Sequence, residues 1–149
     1  DLCEVTQNQV AAMYDSFEHK NQKLELSEGS AFIEGDQFAL ETLISNLLSN
    51  ANKYTPQGGS INVHIRELLD EVELVVEDSG PGIPDEEKAR IFERFYRMDS
   101  AQQADRAPGC GLGLTIVAHI AELHHAQIVI EDSGFATGSA FKVLLKKKV

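Results

Sequence analysis

The chain has 149 residues and a formal net charge of −11, enough length for one domain with a buried core and the wrong sign for a protein that grips nucleic acid, which needs a basic face. Its apolar and charged fractions, 42% and 25%, are those of an ordinary soluble globular domain, and no apolar run reaches the roughly 18 residues that read as a membrane span. The two cysteines, Cys3 and Cys110, are too few and too far apart for a disulfide framework and suit a reducing compartment.

The chain shows no signal-peptide pattern and does not begin with Met, so it reads as a piece of something larger. Residues 3–19 carry Val10, Met13, Tyr14 and Phe17 at helical spacing. Two short strands are predicted next, 23–27 and 31–34, with Glu28-Gly29 as the turn between them. The clearest helix follows. Leu40, Leu43, Ile44, Leu47, Leu48 and Ala51 form one apolar stripe, Asp36 stands at the N-cap position, and Thr55-Pro56 and Gly58-Gly59 end the run. Alternating strands are predicted at 60–67 and 71–77, then a Gly/Pro-rich loop at 78–84 and a helix from Asp85 to about Phe95. Residues 97–108 are polar and without periodicity, as expected of a long functional loop such as a lid. A helix from Leu112 to about His124 precedes two last strands, 127–131 and 139–145, with the loop 134–138 between them. The terminal run Lys146-Lys147-Lys148 reads as a solvated tail. Hairpin strands with helices grouped between them predict an α+β fold: a mixed, mostly antiparallel sheet with helices on one face.

Four segments carry chemistry. In Asn46-x-x-x-Asn50-Ala51-x-Lys53-Tyr54 the two asparagines share one helix face. An amide oxygen there suits a hard cation such as Mg²⁺, and Lys53 lies within reach of a phosphate; alone, this is equally a helix with a polar edge. Asp78-Ser79-Gly80-Pro81-Gly82-Ile83 directly follows a strand. A carboxylate at a strand end can accept a hydrogen bond from an exocyclic amine, and the glycines let backbone approach a flat ring; alone, it is equally a turn. In Ile91-Phe92-Glu93-Arg94-Phe95-Tyr96-Arg97 the two phenylalanines suit a core anchor, with Arg97 placed to swing onto a phosphate. Gly109-Cys110-Gly111-Leu112-Gly113-Leu114 opens a helix, where backbone N–H groups and the positive dipole end favour phosphate. It follows no strand and lacks Gly-Lys-Ser/Thr, so it is neither a dinucleotide fingerprint nor a P-loop.

In this order the four segments resemble the N, G1, F and G2 boxes of the catalytic ATP-binding domain of bacterial sensor histidine kinases. That domain belongs to the superfamily that also holds gyrase, Hsp90 and the MutL mismatch-repair proteins. The resemblance covers roughly residues 22–146. It implies a two-layer α/β sandwich with an ATP lid, and the cofactors ATP and Mg²⁺. By position it assigns Mg²⁺ to Asn50, with Asn46 one turn before it. Lys53 matches a phosphate contact and Tyr54 a ring beside the adenine. Asp78 matches the carboxylate that reads the adenine amine, in a pocket shaped by Gly80, Gly82 and Ile83. Arg97 matches the arginine that meets the γ-phosphate, and Gly109, Gly111, Leu112, Gly113 and Leu114 match the phosphate-facing end of the lid. Asn50, Lys53 and Arg97 are thus the implied catalytic residues.

The implied reaction moves the γ-phosphoryl of Mg·ATP to a histidine on a separate dimerisation domain, for relay to a response-regulator aspartate. Asn46 stands where the ATP-hydrolysing relatives carry a glutamate, and an amide cannot act as a general base. None of the five histidines has the His-Glu-Leu-Arg-like context of a phosphoacceptor, so all read as structural or surface residues. Residues 1–21 are expected to be a helical lead-in from the missing dimerisation domain and 22–149 the ATP-binding domain. The fragment is expected to be monomeric and cytoplasmic, the parent anchored in the bacterial inner membrane. An anti-sigma-factor-type serine kinase and a non-catalytic nucleotide-sensing module of the same superfamily stand as alternatives. Cys110 reads as a tolerated small residue, or as a redox-sensitive thiol at a helix N-terminus.

Overall fold

The computed structural model of the chain describes residues 1–27, 29–88, 90–93 and 113–148. The predicted lid at 97–108, with Phe95, Arg97, Gly109, Cys110, Gly111 and Leu112, lies outside the described residues. Five helices are present among them, α1 (Leu2–Ala12), α2 (Tyr14–His19), α3 (Gln37–Tyr54), α4 (Asp85–Lys88) and α5 (Gly113–Leu123). The strands are β1 (Lys23–Leu26), β2 (Ser60–Glu67), β3 (Glu71–Asp78), β4 (Gln127–Asp132) and β5 (Ser139–Lys146). They form one open sheet in the order β1-β2-β3-β5-β4. The β1–β2 pair is parallel and the others are antiparallel.

One face of the sheet is apolar. Ile61 and Val63 of β2, Val72, Leu74 and Val76 of β3, and Phe141, Val143 and Leu145 of β5 join the core. Against them lie the stripes of α3 and α5, the latter through Val117, Ile120 and Ala121. The alternation predicted for β3 does not appear in its burial, because Glu73 and Val75 on the opposite face are buried too. On β2, Arg66 donates from Nε to Glu73 at 2.9 Å, and on β5 Lys142 lies level with Val75. Long aliphatic stems can cover a strand while their charges reach water.

α3 forms where the sequence predicted it. The Asp36 carboxylate accepts from the Ala39 N–H at 2.8 Å, closing the N-terminus. Thr55 leaves the helix in an extended conformation (φ −80°, ψ 128°), the shape a residue before proline prefers. α5 runs antiparallel to it, with Gly113 beside Asn46 and His124 beside Asp36. The His124 Nε2 accepts from the Asp36 N–H at 3.0 Å. Its Nδ1 therefore carries the proton and donates to the Ile120 carbonyl at 2.8 Å. Gly35 leaves room for this ring, since a Cβ there would lie 2.7 Å from it.

Three predicted elements are corrected. The helix over 3–19 is two helices, parted at Met13 (φ −105°, ψ 6°). Phe17 is buried, but Tyr14 is exposed. Residues 31–34 are not a strand and make no hairpin with β1; only an isolated bridge, Ile33 to Lys147, forms there. Ala31 bonds to the start of α1 instead: the Leu2 N–H donates to the Ala31 carbonyl at 2.8 Å and the Ala31 N–H to the Asp1 carboxylate at 3.2 Å, while the Phe32 carbonyl accepts from the Lys148 N–H at 2.9 Å. The helix predicted from Asp85 to about Phe95 shortens to Asp85–Lys88, and residues 90–93 turn.

Candidate nucleotide-binding site

β3 ends at Asp78, and that carboxylate lines a pocket. Its residue is only 4% exposed. Asp78 Oδ1 accepts from the Gly80 N–H at 2.9 Å, and the Ser139 backbone N–H donates to the carboxylate as well. Burial raises the Asp78 pKa above its ordinary value; the N–H groups of Gly80 and Ser139 pull it back, and the nearby Glu77 charge adds a smaller push upward.

The pocket spans about 490 Å³ of atom-free space, its open mouth included. Asn50 and Tyr54 of α3, Leu114 of α5, Ser139 and Phe141 of β5, and Asp78, Pro81, Gly82, Ile83 and Ile91 line it. Mostly apolar walls around one buried carboxylate suit a flat heteroaromatic ring with a hydrogen-bond donor on its edge.

Glycines let the loop after β3 close. A Cβ on Gly80 would lie 2.6 Å from the Tyr54 carbonyl oxygen, and Gly82 has φ +83°. Gly138 is the tightest position, with φ +122° and space for a Cβ only 1.7 Å from the Asp78 carbonyl oxygen. This approach seats the start of β5 against Asp78 and places Ser139 in the wall.

Of the residues singled out in the sequence, Asn50, Tyr54, Asp78, Gly82, Ile83 and Leu114 meet in this pocket. Gly80 does not line it but touches two residues that do, Asp78 and Tyr54. Lys53 follows Asn50 by one turn, with its ammonium 5.9 Å from the Tyr54 ring centroid. Asn46 stands one turn before Asn50. Its Nδ2 donates to the Thr42 carbonyl at 2.8 Å, and its Oδ1 faces Gly113, where a Cβ would come within 3.1 Å. Arg97, Gly109, Gly111 and Leu112 lie outside the described residues. No histidine lines the pocket.

Pro81, Ile91, Ser139 and Phe141 are wall residues that the motif reading missed. Pro81 and Ile91 sat inside quoted motifs without a role. The glycine-flanked loop before Ser139 was the available signal for the other two.

Among the described residues, no group of three His, Cys, Asp or Glu side chains is arranged to hold a metal. The donor at hand is the Asn50 amide. That fits Mg²⁺, which keeps several waters and is commonly shared between a substrate's phosphates and one or two protein oxygens.

The family model described as histidine kinase-, DNA gyrase B- and HSP90-like ATPase matches residues 35–149, a stretch that contains every residue lining the pocket. The chain belongs to this ATPase family. It is 44% identical over 105 residues to the probable sensor kinase SilS of Salmonella typhimurium, a match covering 70% of this chain and 21% of SilS. It is 45% identical over 115 residues to the signal transduction histidine-protein kinase/phosphatase MprB of Mycolicibacterium paratuberculosis, covering 74% of this chain and 22% of MprB. The solved structure of a mycobacterial sensor histidine kinase MprB superposes with a TM-score of 0.86 at 29% identity, over 99% of this chain and 95% of that one. The fold is thus that of the histidine-kinase members of the ATPase family. The chain spans about a fifth of the length of these two curated relatives.

Proposed function

We propose that this ATPase-family domain binds Mg·ATP and transfers its γ-phosphoryl group to a histidine on a separate dimerisation domain of a two-component sensor kinase, for relay to a response-regulator aspartate. The observation that carries the reading is the buried Asp78 carboxylate in a mostly apolar pocket lined also by α3, α5 and β5. There Asp78 would accept a hydrogen bond from the adenine amine, while Tyr54, Ile83 and Phe141 flank the ring. Lys53 would meet a phosphate. Arg97, by its place in its motif, would meet the γ-phosphate and steady its charge during transfer. Gly109, Gly111, Leu112, Gly113 and Leu114 would offer backbone N–H groups to the phosphates.

Mg²⁺, when bound, would neutralise charge on the phosphates, and Asn50 would supply its protein oxygen. Asn46, whose amide donates to Thr42, supplies no base to activate water. That supports transfer to a protein side chain over hydrolysis. The relatives named above are sensor kinases, which supports the same partners here. Among the described residues, no helix is long and apolar enough to cross a membrane. We place the domain on the cytoplasmic side of a membrane-anchored parent, with residues 1–21 continuing from its dimerisation domain and the isolated domain monomeric.

The test is transfer in trans. The chain is mixed with γ-labelled ATP and a histidine-bearing dimerisation domain from a sensor kinase. Acid-labile, base-stable phosphate on that domain is expected, and none on this chain alone. Acid-stable phosphate would point to a serine acceptor and contradict the proposal.

A further inference from the structure

The end of α3 poses a problem that the pocket does not solve. The last carbonyls of any helix lack intrahelical donors, and in α3 they belong to the turn that carries Lys53 and Tyr54, one turn past Asn50. The Ala51 carbonyl is closed locally, by the Thr55 N–H at 3.0 Å. The next ones are met from the N-terminal segment. Lys20 Nζ donates to the Asn52 carbonyl at 2.7 Å and to the Lys53 carbonyl at 3.4 Å. Gln22 Nε2 donates to the Asn52 carbonyl at 3.0 Å and to the Thr55 carbonyl at 2.8 Å. Gln22 Oε1 in turn accepts from Asn52 Nδ2 at 2.8 Å, and that same amide reaches the Ser16 carbonyl at 3.1 Å.

Gln22 is 8% exposed, so its amide depends on these partners. A cation at a helix C-terminus also meets the negative end of the dipole. On the other side the Tyr54 carbonyl abuts Gly80 of the loop that follows Asp78. The turn is therefore held between the segment after α2 and the base-binding loop.

We infer that Lys20 and Gln22 are positioning residues for the nucleotide pocket, holding the last turn of α3 where it presents Asn50, Lys53 and Tyr54. The inference rests on the ATP-binding reading above and goes beyond it. Both residues lie outside the stretch 35–149 matched by the family model, and neither lines the pocket. Their bonds to α3 reach its backbone carbonyls and the Asn52 amide, so their effect on nucleotide passes through the turn. It also joins α2 to the site: a displacement of the N-terminal helices would displace Lys53 and Tyr54 with them.

The experiment titrates ATP and adenosine by calorimetry into the wild-type chain, Lys20→Met, Gln22→Met and Lys20→Arg, with a thermal melt of each. Each Met variant, still folded at the titration temperature, is expected to bind ATP about five- to tenfold more weakly. Adenosine, held chiefly through Asp78, should lose less, so the ATP-to-adenosine preference falls; Lys20→Arg should restore it. Wild-type affinity and preference in both Met variants, whatever their melting temperatures, would overturn the inference and leave Lys20 and Gln22 as helix caps only. The underlying reading is checked separately by wild-type ATP binding that weakens in Asp78→Asn. If the wild-type chain bound no ATP, the reading and the inference would fall together.

Discussion

Asp78 answers two opposed demands. Its burial raises its pKa, so the fold favours the protonated form, whereas an adenine amine would be recognised by the carboxylate. The sign follows from linkage. The stability this group lends is fully present below the ordinary aspartate pKa and is lost as the pH rises through the raised one. At pH 7 Asp78→Asn should therefore keep or raise the melting temperature while weakening ATP binding about ten- to hundredfold, the worth of a hydrogen bond to a charged group. Acidification should weaken ATP binding in the wild type as the pH falls through the raised Asp78 pKa, and that limb should vanish in Asp78→Asn; an unchanged limb in the variant would assign it to another group. Gly138→Ala should lower stability by about 1–3 kcal/mol or more, seen as a fall in denaturant midpoint, since the new Cβ has no place beside the Asp78 carbonyl. Asp78, Gly80 and Gly82 were legible because an acid at a strand end followed by glycines is a local pattern. Gly138, Ser139 and Phe141 were not, because they reach Asp78 through the pairing of β3 with β5, about sixty positions further along the chain.

α3 was readable almost to the residue because one stripe of six apolar residues fixes a helical period, and Asp36 and Pro56 bound it. Leu47→Ala, at a side chain 2% exposed in the middle of that stripe, should cost about 2–5 kcal/mol in chemical denaturation; a loss under about 1 kcal/mol would mean that the helix is not the keystone of the core. Short elements were less legible. The segment 31–34 has strand-like composition, yet its backbone bonds go to Asp1 and Leu2 at the start of α1 and to Lys148 at the far end of the chain, not to β1. β1 pairs in parallel with β2, and parallel pairing is long-range, so a neighbouring apolar run invited the wrong hairpin. The break at Met13 leaves the helical spacing of Val10 and Phe17 almost intact, which is why periodicity did not reveal it.

Across the chain as a whole, the N-terminal helices are built into the domain. Leu2, Cys3 and Phe17 belong to the same core as α3 and the sheet, and Lys20 and Gln22 cap α3 from that side. Burial accordingly raises the Cys3 thiol pKa, so this cysteine should resist alkylation in the native state and react once the chain is unfolded. Deleting residues 1–21 should lower both the melting temperature and ATP affinity; a truncated chain that binds ATP as the full one does would show the segment to be an appendage. The α+β class and the helix-backed sheet were legible from hairpins and stripes. How the first twenty residues dock was not, because their polar contacts are to backbone carbonyls, which no side-chain pattern announces.

The nucleotide site stands or falls on whether the Asp78 pocket receives adenine. Calorimetric titration of ATP into the chain and into Asp78→Asn, with and without Mg²⁺, asks this. The expected result is saturable one-to-one binding by the wild type that falls about ten- to hundredfold in the variant and depends on Mg²⁺. Equal affinity in the two chains would contradict the assignment of Asp78 as the adenine-reading group, and no binding by the wild type would contradict the nucleotide site itself.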